Sequence, residues 1–236
     1  MEKQVVVITG ASAGYGKGAA EWFQKDGGFY VVITSRNKEN LEKVAKSIGT
    51  DYFVADVMNV EDWKELRKYV LEKYGKIDIL INNAGGAVAM IPFSDYTVEQ
   101  IEECLDLNIK SCALGVHTFI NDMKERKNGT IINVASICAK RAWPGLAVYS
   151  AAKAAVLLFT KCLHTELQPF NIRCTTFIPA AGRTDFCKNA GNDNRVEMGF
   201  FQEDAGRAMY DIVKMPAHVI VEEYQMWGMD QVVSPM

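Results

Sequence analysis

Apolar, β-branched runs recur along the chain at 5–9, 30–34, 52–55, 77–81, 130–134 and 173–178. Between them lie longer segments in which apolar residues return every three or four positions. A short continuous apolar run is the pattern of a strand buried on both faces, whereas the longer period is that of a helix laid on a sheet. Their alternation predicts βαβ units and a parallel sheet. The clearest crossover helix lies between Asn59, placed as an N-cap, and Gly75, placed just past the end, with Trp63, Leu66 and Val70 on one stripe. Asn37 and Gly49 punctuate a similar unit after the second run, and a further helix is expected over 149–168. Residues 182–204 break the rhythm: they are rich in Gly, Asn and charge and carry no apolar period. Loops of that length in compact domains are usually functional, and its late position predicts a substrate lid at about 182–204. No internal repeat or linker marks a boundary, so residues 1–236 read as one domain.

Composition narrows the class. A chain of 236 residues that is 49% apolar can bury the core of one large α/β domain. Its net charge of −3 leaves no basic field, so neither nucleic acid nor an anionic membrane is an expected partner. Six cysteines (104, 112, 138, 162, 174 and 187) form no Cys-x-x-Cys pair, and His117, His164 and His218 are scattered. No metal site is expected, and the thiols read as reduced. The first residues lack the long apolar core of a secretion signal and no stretch reaches the length of a membrane span, which predicts a cytoplasmic protein.

Two motifs carry chemistry. Thr9-Gly10-Ala-Ser12-Ala13-Gly14-Tyr15-Gly16 follows the first strand and opens the first helix. Glycines there permit a tight turn and close approach of backbone to a pyrophosphate, with helix N–H groups as donors. After the second strand stands Ser35-Arg36-Asn37, without the acid that holds an NAD ribose, and Arg36 is suited to a 2′-phosphate. Asp56-Val57 and Asn83-Ala84-Gly85 fall at the carboxyl ends of the next strands, where open α/β sheets bind ligands. The second motif is Tyr149-Ser-Ala-Ala-Lys153, whose spacing places phenol and ammonium on one helical face. A neighbouring ammonium favours the phenolate, so Lys153 is expected to lower the Tyr149 pKa toward working pH.

Taken together, the glycine turn at 9–16, the Asn-Asn-Ala-Gly at 82–85, Asn108, Ser136 and Tyr149-x-x-x-Lys153 resemble the short-chain dehydrogenase/reductase family over essentially the whole chain. That resemblance implies a doubly wound Rossmann-type α/β sheet of about seven strands, a homotetramer and an NADP(H)-dependent enzyme with Asn108, Ser136, Tyr149 and Lys153 as its catalytic set. Asn108 is implied to support Lys153 through a water. Cofactor contacts are implied at Gly10, Ser12, Ala13, Gly14, Tyr15, Gly16, Ser35, Arg36, Asn37, Asp56, Val57, Asn83, Ala84 and Gly85. They continue at Tyr149, Lys153, Pro179, Ala180, Gly182 and Thr184. Within the family, Tyr15, Trp143-Pro144, Gly182-Arg-Thr-Asp-Phe186 and Met215-Pro-Ala-His218 are similar to the NADP-dependent 3-hydroxy acid dehydrogenase branch. Pro179-Ala180 replaces the family's usual Pro-Gly, and Asn37 stands where the branch often carries a second Arg.

Those residues predict a small-molecule substrate bound by Ser136, Cys138, Trp143, Tyr149 and Arg183, with Arg183 or Arg141 neutralising an anionic head. A hydride acceptor or donor needs a partner that moves a proton at the substrate oxygen, and Tyr149 is that group. Two other readings stay open: a reductase of bulkier ketones or steroids, and a catalytically idle protein that senses NADP(H). The 226–229 cluster of Met, Trp and Gly reads as subunit interface or core.

Overall fold

The computed structural model describes residues 2–192 and 198–231. Seven parallel strands form one sheet in the order β3-β2-β1-β4-β5-β6-β7. They are β1 (Gln4–Thr9), β2 (Phe29–Ser35), β3 (Asp51–Val54), β4 (Ile79–Asn82), β5 (Gly129–Val134), β6 (Ile172–Pro179) and β7 (Glu223–Met226). Helices cross between them: α1 (Gly14–Asp26), α2 (Lys38–Ile48), α3 (Val60–Tyr74), α4 (Val98–Leu105), α5 (Ser111–Arg126), α6 (Ala147–Leu167), α7 (Phe186–Asn189) and α8 (Gln202–Lys214). This is the doubly wound Rossmann-type sheet that the residue pattern and the resemblance predict. The strand order reverses between β1 and β4, which opens a crevice beyond the carboxyl ends of those strands.

Apart from the edge strand β3, which is only partly buried, the continuous apolar runs are explained by burial on two faces. Along β1, Val6 and Ile8 join the core beneath α1 and α8, while Val5 and Val7 join the core beneath α3 and α5. The caps act where the pattern placed them. Asn37 accepts from the Asn40 N–H and Asn59 from the Glu61 N–H, while Gly49 and Gly75 end their helices in the left-handed region. Two further glycines set the helix layer: a Cβ on Gly18 would overlap the Gln202 backbone, and one on Gly206 the Gly18 backbone, so α1 and α8 cross with their main chains in contact.

β7 was not among the apolar runs. Its sequence, Glu-Tyr-Gln-Met, lies at the sheet edge, is only partly buried and so lacks the two-sided apolar signal. Met226, at the start of the 226–229 cluster, is the last residue of this strand and packs on the core with Trp227, while Met229 is fully exposed. A buried polar chain crosses the sheet: Asn82 donates to Asn133 at 2.9 Å, and Asn133 donates to Thr160 of α6 at 3.0 Å. It locks the ends of β4 and β5 to the helix that carries Tyr149. The lid expected over 182–204 includes residues 193–197, which lie outside the described residues. Its described part holds the short α7 and a bridge pairing Gly182 with Phe200.

Candidate active site

At the tip of β1, Gly10 and Gly14 both take positive φ (65° and 56°), as the turn requires. A Cβ on Gly10 would stand 2.8 Å from the Ala84 Cα, and one on Gly16 would stand 2.5 Å from the Asn83 amide nitrogen. Asn83 fixes this packing by donating to the carbonyls of Thr9 (2.9 Å) and Gly10 (3.2 Å). Thr9 returns the contact, its hydroxyl accepting from the N–H groups of Asn83 and Ala84, both at 3.0 Å. Thr9 was quoted only as the first letter of the motif; the signal for its role was a hydroxyl ending a strand just before a tight turn.

The helix that follows is open at its start. Ala13, the N-cap, offers no side-chain cap, and the first turn of α1 carries no acid. Beyond Gly14 a Cβ would meet only a Thr184 methyl, at 3.7 Å. Free N–H donors, an uncapped positive dipole end and space above the turn fit a dinucleotide pyrophosphate. At the tip of β2, the Ser12 and Ser35 hydroxyls lie 3.0 Å apart and Arg36 and Asn37 are exposed. Asn37 has a structural task besides, since its side chain caps α2. Asp56 is half-buried, its carboxylate accepting from the Met58 N–H, and the Val57 carbonyl accepts from the Trp63 indole.

The acid/base groups meet at the end of β5. Ser136 caps a short turn of helix by accepting from the Cys138 N–H at 3.2 Å. Tyr149, in the first turn of α6, brings its phenol near enough to the Ser136 hydroxyl to be influenced by it. One turn further along α6, the Lys153 ammonium donates to the Val134 carbonyl at 2.8 Å and lies 5.8 Å from the Tyr149 ring centre. Gly85 has to be glycine for this approach: a Cβ there would stand 2.8 Å from both Lys153 Nζ and Asn108 Oδ1.

Burial governs the proton affinities. Loss of hydration pushes the Tyr149 phenol well above its ordinary value, and the Ser136 hydroxyl only partly opposes this. The expected lowering by Lys153 does not dominate here, because Lys153 is itself buried and its pKa falls from 10.5 to about 8. Its ammonium is spent on a backbone carbonyl rather than on the phenol.

Asn108 lies beside Lys153, its Oδ1 and the Lys153 Nζ both facing Gly85. It occupies a π-helical turn (Asp106–Lys110) between α4 and α5, where extra residues per turn re-aim a side chain. Its amide donates to the carbonyls of Gly86 (2.9 Å) and Cys104 (2.8 Å) and accepts from the Gly86 N–H (3.0 Å). The side chain therefore pins the strand-end loop beside Lys153, and its hydrogen bonds go to backbone.

On the substrate side, Phe186 stands 5.3 Å from the Tyr149 ring, and Val88, Met90, Cys138, Leu146 and Ala190 share the same apolar cluster. Trp143 is 39% exposed and lies outside this cluster. Arg183 turns to Asp230 (3.8 Å) and the Phe201 ring (4.5 Å), and Arg141 lies over the Trp227 ring. Pro179 ends β6, and the Ala180 N–H donates to the Met226 carbonyl at 2.8 Å, so the Pro-Ala departure sits against β7. Gly182 and Thr184 approach the glycine turn from above. Among the described residues no cluster of His, Cys, Asp and Glu is placed to hold a metal ion, and no helix is long and apolar enough to cross a membrane.

The chain is similar to known proteins along nearly its whole length. The NADP-dependent 3-hydroxy acid dehydrogenase YdfG of Shigella flexneri is 31% identical over 238 positions, covering 96% of this chain and 96% of that protein. The closed form of a serine dehydrogenase complexed with NADP+ superposes with a TM-score of 0.91 at 30% identity, over 99% of this chain and 98% of the other. A serine dehydrogenase from Escherichia coli gives 0.85 at 29% identity, over 97% and 100%. The family model of the short chain dehydrogenases matches residues 4–195, which takes in the glycine turn, Ser136, Tyr149 and Lys153. By sequence and fold alike, the chain belongs to the short-chain dehydrogenase family.

Proposed function

We propose that the protein is an NADP(H)-dependent oxidoreductase that interconverts a small polar alcohol and its carbonyl. The observation that carries this reading is the meeting of Ser136, Tyr149 and Lys153 in one buried cluster beside an uncapped glycine-rich helix start. NADP(H) in the relatives named above supports the choice of cofactor. Here the first turn of α1 would hold the pyrophosphate, Ser12, Ser35 and Arg36 the 2′-phosphate, Asp56 and Val57 the adenine side, and Lys153 the ribose nearest Tyr149. When bound, that cofactor supplies or accepts the hydride.

The remaining chemistry belongs to the side chains. In reduction, the substrate carbon gains a hydride while its oxygen gains the phenolic proton of Tyr149, and oxidation reverses both transfers. A phenol whose pKa is held high by burial stays loaded with its proton at neutral pH, which suits the reductive direction. Ser136 holds the substrate oxygen and steadies the phenolate left behind, and Lys153 contributes positive charge beside it. Asn108 holds Gly86 and so keeps the loop that closes over Lys153 in place.

For the substrate we propose a 3-hydroxy acid or a small aldehyde or ketone such as sulfoacetaldehyde. Arg183 supports an acidic head, since its pair with Asp230 is long (3.8 Å) and its side chain is 42% exposed, leaving it open to exchange for a substrate anion. The apolar wall of Val88, Met90, Cys138, Leu146 and Phe186 favours a second reading, a reductase of bulkier neutral ketones. Exposed Leu158 on α6 and Met229 are consistent with the homotetramer the resemblance implies. A coupled screen of small 3-hydroxy acids, sulfonates, aldehydes and ketones with NADP(H) and NAD(H) tests the proposal. Turnover of short acidic compounds is the expected result. Preference for neutral bulky ketones would transfer the assignment to the second reading, and tight NADPH binding without turnover of any compound would leave an NADP(H) sensor.

A further inference from the structure

Tyr15 belongs to the glycine turn in sequence and to the opposite loop in space. Its backbone lies in the first turn of α1, between Gly14 and Gly16, where the pyrophosphate is proposed to sit. Its side chain crosses to the segment after β6. The phenol donates to the Ala180 carbonyl at 3.3 Å and packs against Gly182, and its ring lies 5.5 Å from that of Phe200. Gly182 fits against it closely enough that a Cβ there would overlap the phenol oxygen. The same segment is tied to Phe200 on its far side, through the Gly182–Phe200 bridge and the Arg183 N–H, which donates to the Phe200 carbonyl at 3.0 Å. Tyr15 thus sits where both limbs of the loop, 180–184 and Phe200, converge on the turn. A directional hydrogen bond to Ala180 distinguishes this contact from the packing an apolar residue would give.

We propose that Tyr15 is a positioning residue that couples the cofactor turn to the loop following β6, so that seating the dinucleotide on α1 orders the segment bordering Tyr149. This rests on the NADP(H) reading given above. Anything that fixes the Tyr15 backbone then fixes the anchor of Gly182, Arg183 and Thr184. The hydroxyl carries the coupling, and the ring carries the packing on Phe200.

The test compares the parent with Tyr15→Phe, which keeps the ring and removes the hydrogen bond to Ala180, and with Gly182→Ala, which forces the phenol away from the loop side. NADPH affinity is measured by fluorescence titration, and hydrogen exchange of the Arg183 and Thr184 amides is followed with and without saturating NADPH. In the parent, NADPH should slow exchange at both amides. In both variants that protection should be largely lost even at saturation, with Kd raised about three- to tenfold, the equivalent of one neutral hydrogen bond. The NADPH-to-NADH affinity ratio should hold, because Ser35 and Arg36 are untouched. Full NADPH-dependent protection in Tyr15→Phe, with Kd unchanged, would overturn the coupling while leaving the cofactor assignment standing. A parent that fails to bind NADPH at all would overturn both.

Discussion

Under the end of β5, Ser136, Tyr149 and Lys153 are 8%, 5% and 3% exposed, and Ser136 and Lys153 are hydrogen-bonded to backbone. At the tip of β2, some way along the same crevice, Arg36 and Asn37 stand in solvent. The first region is dry and tightly held, so a lost group there leaves a buried partner without compensation, and effects are large. The second region recognises its ligand by charge at an exposed surface, where interactions are weaker, screened by salt and readily exchanged for others. Reaction chemistry is thus placed where the fold tolerates little change, and cofactor choice where it tolerates much.

Three measurements bear on this contrast. The largest effect is expected from Tyr149→Phe, which preserves the ring against Phe186 but removes the exchangeable proton. Turnover should fall by at least about a hundredfold, the usual scale of general acid catalysis, with NADPH binding within a few fold of the parent. Activity within tenfold would show that another group moves the proton.

Next in size is a pH effect centred on Lys153. Its ammonium is disfavoured by burial and deprotonates at about pH 8, so carbonyl reduction should be steady below that pH and decline above it as the positive charge is lost. Tyr149, whose pKa is raised further, stays protonated through this range and should add no second step. In Lys153→Arg the decline near pH 8 should vanish whatever activity remains, because guanidinium does not titrate there. A parent profile flat to pH 10 would show that Lys153 keeps its proton or contributes no charge to the reaction.

The smallest effects belong to the exposed end. Arg36→Ala should cut the preference for NADPH over NADH by about ten- to a hundredfold, corresponding to roughly 1.5–3 kcal/mol for a hydrogen bond to a charged group. Ser35→Asp should move the ratio further toward NADH, and neither change should alter kcat with saturating NADPH. A kcat change as large as that of Tyr149→Phe would remove the distinction between the two regions.

Local signals account for much of what was legible. The caps at Asn37 and Asn59, the stops at Gly49 and Gly75, and six of the seven strands follow from backbone preferences and, for all of those strands but the edge strand β3, from burial on two faces, which neighbouring residues in the chain express directly. The spacing of Tyr149 and Lys153 likewise placed two groups on one helical face before any contact was known. The seventh strand, at the edge and half polar, had no such signal. Nor did the direction in which burial drives the two proton affinities, because desolvation depends on what the rest of the fold stacks above a group. Arg183 was legible as a cation near the site; its engagement with Asp230, 47 residues downstream, was not. Sequence alone determined the turn, the acid/base pair and the alternation that builds the sheet, since each depends on residues near one another in the chain. Only the tertiary structure decided that Asn108 holds Gly86, that Tyr15 reaches Ala180 and Gly182, and that Lys153 donates a hydrogen bond to a backbone carbonyl, because those partners meet only after the strands have paired.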